Sequence, residues 1–253
     1  MTGTIIYCIG RKRSLADGPP IRARGLGGGG VRLIPYQELV AVVGDATEER
    51  YQVSRANVRA HSEVIDEVME RSDVLPLRFG EVAPDDEEAR KLLLEQQYDG
   101  LLQRLDRVRD RVELALRVSF DEARLFDEIR AVREDLVNAG QRAASFEDRV
   151  SVGQSIAQVV DNKRERASEM ILAELEPLAV EVVTNELTSD MMVLNAAFLV
   201  DRSRLQEFDE RVRTLGERET GRLVFRYVGP LPPYSFVDLR IPAEAEEAEA
   251  VHA

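Results

Sequence analysis

Three adjoining pieces of sequence decide the fold: M-M-V-L-N-A-A-F-L-V at 191–200, D-R-S-R-L-Q-E-F-D-E-R-V-R-T-L-G at 201–216, and L-V-F-R-Y-V-G-P-L-P-P-Y-S-F-V at 223–237. The first is an apolar run interrupted only by Asn195, the pattern of a strand buried on both faces. In the second, Leu205, Phe208, Val212 and Leu215 fall on one helical face, and Gly216 is the expected helix stop. The third reads as a strand over Leu223–Val228, ended by Gly229 and three prolines. A strand, a crossover helix and a second strand bury their apolar faces only against more sheet, so the rest of that sheet must lie upstream.

Upstream, Val112, Leu114, Leu116, Val118 and Phe120 alternate with other residues and predict a half-buried strand. Two helical stretches follow. Glu122–Asn138 carries Leu125, Ile129, Val132 and Leu136, and Phe146–Leu175 carries Val150, Ile156, Val160, Ala167, Ile171 and Leu175. Ala139-Gly140 is the expected break between them, giving a helical hairpin. Leu178–Val183 reads as a strand and Thr184–Asp190 as a polar turn. The order from Val112 is therefore βαββαβ, a ferredoxin-like arrangement whose first helix is enlarged by a helical insertion.

The N-terminal part is a smaller mixed α+β domain, a modified ferredoxin-like arrangement. Thr4–Ile9 is a β-branched, aromatic strand. Gly10–Gly30 is polar, basic and glycine-rich, and a mobile loop is expected there because ordered glycine costs the most backbone entropy. Val31–Ile34 and Leu39–Val43 read as short strands. Ser54 is a helix N-cap, after which Val58, His61, Ile65, Val68 and Met69 form the apolar face. Val74–Val82 reads as a strand in which Pro76 demands a start, an edge or a bulge. Asp85 caps a further helix to about Leu105, with Leu92, Leu93, Leu101, Leu102 and Leu105 apolar and Gly100 a weak point. The expected fold class is α+β with two domains, 1–108 and 109–242. Ala243–Ala253 is an acidic Ala/Glu tail expected to be disordered.

Composition narrows the function. The 253 residues are 44% hydrophobic and 32% charged, as in a globular, helix-rich protein. A net charge of −13 argues against a nucleic-acid surface. The charge is uneven: within residues 1–33, Arg11, Lys12, Arg13, Arg22, Arg24 and Arg32 oppose Asp17 alone, a net of +5. The single cysteine, Cys8, sits in an apolar strand and reads as a buried thiol in a reducing compartment. No apolar run reaches the roughly 18–20 residues of a membrane span, and the N-terminus lacks a signal pattern, so the expected location is cytoplasmic with no lipid-membrane partner.

Met192–Val200 together with Gly229-Pro230-Leu231-Pro232-Pro233-Tyr234-Ser235-Phe236-Val237 resembles the GvpF/GvpL family of gas vesicle proteins. Val74-Leu75-Pro76-Leu77-Arg78-Phe79-Gly80-Glu81-Val82 is similar to that family's L-P-L-R-F-G segment, and Ala60-His61 stands where the family usually has a histidine. The blocks occur in the family's order and span almost the whole chain. Leu231 replaces a tryptophan common in the proline segment, and the glycine-rich insert at 25–30 has no counterpart in the resemblance. The resemblance implies a two-domain accessory protein without catalysis. It also implies contact with the small hydrophobic shell protein GvpA and other accessory Gvp proteins, at the gas vesicle or in the cytoplasm during assembly.

Chemistry-bearing motifs are few. Gly25–Gly30 lacks the Lys-Ser/Thr ending and the following helix of a phosphate loop and reads as a plain loop. His61 reads as a packed histidine rather than a base or ligand, since only His252 accompanies it. No His/Cys cluster provides a metal site, and no cofactor motif is present. Arg78-Phe79-Gly80 only faintly echoes an RNA-binding strand. The acidic pairs Asp85-Asp86, Glu87-Glu88 and Glu48-Glu49 sit where capping or solvated carboxylates are ordinary. The proline segment fixes an extended chain path, and it also offers Tyr234 and Phe236 to a partner. Arg78, Phe79, Tyr234 and Phe236 are therefore the candidate protein-contact residues. The competing reading is a small-molecule-binding regulatory module, which rests on fold analogy alone.

Overall fold

A computed structural model describes residues 3–138 and 146–241. The expected break at Ala139-Gly140 and the tail 243–253 lie outside the described residues. The chain forms two compact units, one comprising residues up to Glu113 together with those from Pro230 onward, the other Leu114–Gly229. Residues 230–241, counted above with the C-terminal domain 109–242, thus fall in the first unit. The class is α+β, as the patterns indicated.

In the first unit β1 (Gly3–Arg11) is central. It lies between β3 (Leu39–Ala46) and β4 (Val74–Pro76), with β2 (Val31–Tyr36) outside β3, and β5 (Val82–Ala83) also pairs with β1. All these pairings are antiparallel. The β1–β3 register shifts between Ile6 and Cys8. One extra residue there puts Tyr7 and Cys8 on the same face. They join Ile5, Val40 and Val42 against Val64, Ile65 and Val68 of α2 (Arg55–Met69). Ile6, Ile9, Ala41 and Val43 face the other way, toward Ala89, Leu93, Leu94, Leu101 and Leu105.

Several local expectations shift, each for a physical reason. Ser54 caps α2, accepting from the Asn57 N–H at 3.1 Å, but Val58 is exposed and Val64 takes its place in the core. The expected strand Val74–Val82 is interrupted: Pro76 has no N–H to continue the ladder, and Gly80 at φ 85° turns the chain out before β5. Asp85 caps α3 (Asp86–Ala89) by accepting from the Glu88 N–H at 2.9 Å. The expected single helix to Leu105 is instead α3, a π-helical turn over Arg90–Glu95, and α4 (Tyr98–Arg107). The wider turn shifts the apolar register, so Leu94 rather than Leu92 is buried beside Leu93.

The glycine-rich loop is anchored. Lys12–Leu15 form the short α1, and Leu26 is buried at 1% exposure. The Tyr7 hydroxyl accepts the Leu26 N–H at 2.9 Å. A Cβ on Gly25 would lie 2.1 Å from that hydroxyl, so glycine is required for the close approach. Sequence composition gave no hint of this tyrosine, which lies in β1.

In the second unit the sheet order is β7 (Glu181–Thr184), β8 (Met192–Asp201), β6 (Arg111–Phe120) and β9 (Leu223–Leu231). This is the strand order of a ferredoxin-like βαββαβ unit, with β7 and β8 antiparallel. The helices α5 (Glu122–Asn138) and α6 (Phe146–Leu175) occupy the stretches the periodicity indicated, and the start of α5 and the end of α6 fall where expected. Asp121 accepts from the Arg124 N–H at 3.0 Å to start α5. Leu178 lies in a short 3-10 turn with Pro177 rather than in a strand, so β7 starts later than expected. In α7 (Leu205–Arg218) Phe208, Val212 and Leu215 are buried. Gly216 does not stop this helix. The turn into β9 is made at Gly221, φ 77°, the backbone conformation that glycine adopts without strain.

Candidate functional site

The L-P-L-R-F-G segment and the chain following the proline run come together in the first unit. Pro76, Leu77 and Arg78 line one side of a groove of about 340 Å³, and Tyr234–Asp238 the other. The proline residues set this path. Pro232 and Pro233 are buried, and the chain turns immediately after them through hydrogen bonds from Tyr234 N–H to Pro232 O at 2.7 Å and Phe236 N–H to Pro233 O at 3.1 Å.

Side chains clamp the returning segment. Arg78 Nε donates to Asp238 Oδ1 at 2.8 Å. Glu113 accepts from both the N–H and the hydroxyl of Ser235, and Glu81 accepts from the Ile241 N–H at 3.1 Å. Val237 and Leu239 enter the core beside Leu75 and Leu77. Burying two such side chains contributes on the order of 3 kcal/mol or more, well above what the exposed Arg78–Asp238 pair supplies. Glu113 is 4% exposed, and burial pushes its carboxyl above the ordinary range although Ser235 opposes that shift.

Of the four candidate contact residues, the groove gathers three. Arg78 and Tyr234 stand at its surface, with the Arg78 side chain 53% exposed and Tyr234 38% exposed. Phe236 lines the groove but is buried, which makes it a packing residue beneath the exposed pair. Phe79 points elsewhere: its ring meets that of His61 edge-on, with centroids 5.5 Å apart. Burial raises the Tyr234 hydroxyl far above its ordinary value, so it stays protonated and able to donate. Glu113, Ser235 and Asp238 escaped sequence reasoning because nothing local marks a pairing across more than a hundred residues.

His61 is 3% exposed and lies between the rings of Tyr7 and Phe79. Its Nε2 sits 3.4 Å from the Leu77 carbonyl, and Nδ1 has no hydrogen-bond partner. Burial lowers its pKa from 6.5 to about 4, so it is neutral near pH 7. Cys8 is wholly buried and its thiol is pushed up by that burial, which leaves it unreactive. Among the described residues no group of three His, Cys, Asp or Glu side chains is placed to hold a metal. No described helix is long and apolar enough to cross a membrane.

Two antiparallel sheets with separate helical layers, joined to these sequence blocks, define the class of gas vesicle synthesis proteins. The family model for gas vesicle synthesis protein GvpL/GvpF matches residues 3–238, and the chain belongs to that family. Gas vesicle protein F of Streptomyces sp. (strain CB03234) is 30% identical over 239 residues, covering 92% of this chain and 99% of that one. Gas vesicle protein L of the same strain is 31% identical over 243 residues, covering 87% and 88%. The crystal structure of GvpF from Anabaena sp. PCC7120 superposes with a TM-score of 0.80 at 25% identity, covering 94% of this chain and 97% of that one.

Proposed function

We propose that this chain is a non-enzymatic accessory protein of gas vesicle assembly, binding the hydrophobic shell protein GvpA and other accessory Gvp proteins. The observation that carries this reading is the family match over residues 3–238. The groove supports it, because the segments that resemble the family are used to build one surface bearing Arg78 and Tyr234. An exposed guanidinium beside a partly exposed aromatic ring is a common composition for a protein-contact patch. The acidic balance of −13 suits a partner that keeps an apolar shell protein dispersed before assembly. The chain then works at the growing vesicle, after a cytoplasmic stage.

Deletion of the gene, followed by electron microscopy and a pull-down with shell protein, tests the reading. Loss of vesicles together with direct capture of shell protein is expected. Normal vesicles without the chain would overturn it. Fractionation of floated vesicles from cytosol then reports whether the chain stays on the shell.

A further inference from the structure

The second unit holds a pocket of about 330 Å³ lined by both apolar and charged side chains. Phe120, Leu125, Met170 and Leu223 supply the apolar lining. Arg124, Lys163, Arg166 and Arg222 line the same pocket against only two carboxylates, Glu128 and Glu219. Those carboxylates are already shared. Glu128 takes Lys163 at 2.8 Å and Arg124 at 3.2 Å. Glu219, its side chain 8% exposed, takes Arg222 at 2.8 Å and Arg218 at 3.3 Å. Lys163, and then the charges of Arg124 and Arg222, hold the Glu128 carboxyl below its ordinary range. Arg166 is exposed and makes no ion pair among the described residues. The lining therefore keeps an excess of two positive charges in a chain whose total is −13.

We propose that this pocket receives an acidic side chain with an apolar neighbour from a protein partner, the carboxylate meeting Arg166 and Arg222 and the apolar group entering between Leu125, Met170 and Leu223. The proposal rests on the assembly reading above, since it needs a protein partner. Charge complementarity selects an anion, because the lining holds two more cations than carboxylates and Arg166 has no ion-pair partner among the described residues. A free small anion is held poorly there: each cation except Arg166 already shares a carboxylate, and the exposed charges are screened by salt. Apolar burial must add to the attraction, and a pair of neighbouring side chains carried on a larger interface brings both. The volume is at the lower end of the range of about 300–1,000 Å³ seen for small-molecule sites, and it suits one or two side chains.

The test uses the full chain and a fluorescein-labelled octapeptide alternating glutamate and leucine, followed by fluorescence anisotropy. Saturable binding is expected, weakened about tenfold by Arg166→Glu and by added salt, as for a charge-assisted contact. A lysine–leucine peptide should not bind. Equal binding to the wild type and Arg166→Glu, or equal binding of the lysine peptide, overturns the proposal. Arg166 is exposed, so the variant should keep its circular dichroism and melting temperature. In cells, Arg166→Glu should reduce vesicle number severalfold. Normal vesicles with Arg166→Glu, alongside their loss on deletion, overturn the pocket and leave the assembly reading standing; normal vesicles on deletion overturn both.

Discussion

Glu113 in β6 accepts two hydrogen bonds from Ser235, the backbone N–H at 2.6 Å and the hydroxyl at 2.9 Å, across 122 residues of sequence. Because Glu113 is nearly inaccessible to water, the two bonds fix where the chain lies after the prolines and so where Tyr234 is presented.

Ser235→Ala removes the hydroxyl bond and should cost about 1 kcal/mol in urea unfolding. Glu113→Ala removes both bonds and should cost about 1–3 kcal/mol. The double variant should resemble Glu113→Ala alone, because the two residues act on each other. Glu113 has a raised folded pKa, so the folded state holds its proton more tightly than the unfolded chain. Its contribution is present below the ordinary glutamate pKa and is lost as pH rises through the raised value. Glu113→Gln should remove that part of the pH dependence.

The sign is opposite at His61. Its folded pKa of about 4 lies below the unfolded 6.5, so the unfolded chain binds the extra proton first. Stability is complete above pH 6.5 and should fall progressively between pH 6.5 and 4, by at most about 3 kcal/mol. Denaturant melts of the wild type and His61→Phe across that window check this. The variant should show a flatter profile. An equal slope in both would show that other groups govern the acid limb.

Gly25→Ala should destabilise the first unit by about 1–3 kcal/mol, the usual cost of forcing a group into a filled space. The added methyl group meets the Tyr7 hydroxyl at 2.1 Å. Tyr7→Phe removes that oxygen at the cost of the Leu26 hydrogen bond, so the double variant should lose less than the two single variants together. Thermal melts of the four proteins measure the coupling.

Arg78 and Phe236 should separate contact from packing. Arg78 pairs with Asp238 at the surface, so Arg78→Ala should change stability by less than about 1 kcal/mol. A severalfold loss of shell-protein capture with stability intact is the expected result. Phe236→Ala opens a buried site and should cost about 3–5 kcal/mol. Tyr234 is only 38% exposed and its hydroxyl bonds Ser62, so Tyr234→Ala should also reduce capture but cost more stability than Arg78→Ala. Unchanged capture by both surface variants would remove this groove from the contact surface.

Most elements were legible because their signals are local. Alternation along Val112–Phe120 marks β6, and helical spacing marks α5, α6 and α7, in each of which apolar residues recur on one side. Where two local signals competed, the sequence alone chose less well. Gly216 looked like a helix stop, yet the helix accommodates it, and the positive-φ position falls at Gly221, five residues on. The π-helical turn at Arg90–Glu95 carries no distinctive residue pattern, so the change of register at Leu93-Leu94 went unseen. The groove was half legible: Arg78, Tyr234 and Phe236 were singled out, while Phe79 turns to His61 and the anchoring residues Glu113, Glu81 and Asp238 were silent.

Sequence by itself determined the order of strands and helices in the second unit, the α+β class and the segments that resemble the family, because periodicity and motif are carried by neighbouring residues. Tertiary structure decided which distant segments meet. It placed the chain after Pro230 with the first unit, turned Phe79 inward, and seated the glycine loop on Tyr7. Those outcomes depend on which buried groups find hydrogen-bond partners and which apolar side chains leave water together, and both are settled only when the whole chain has packed.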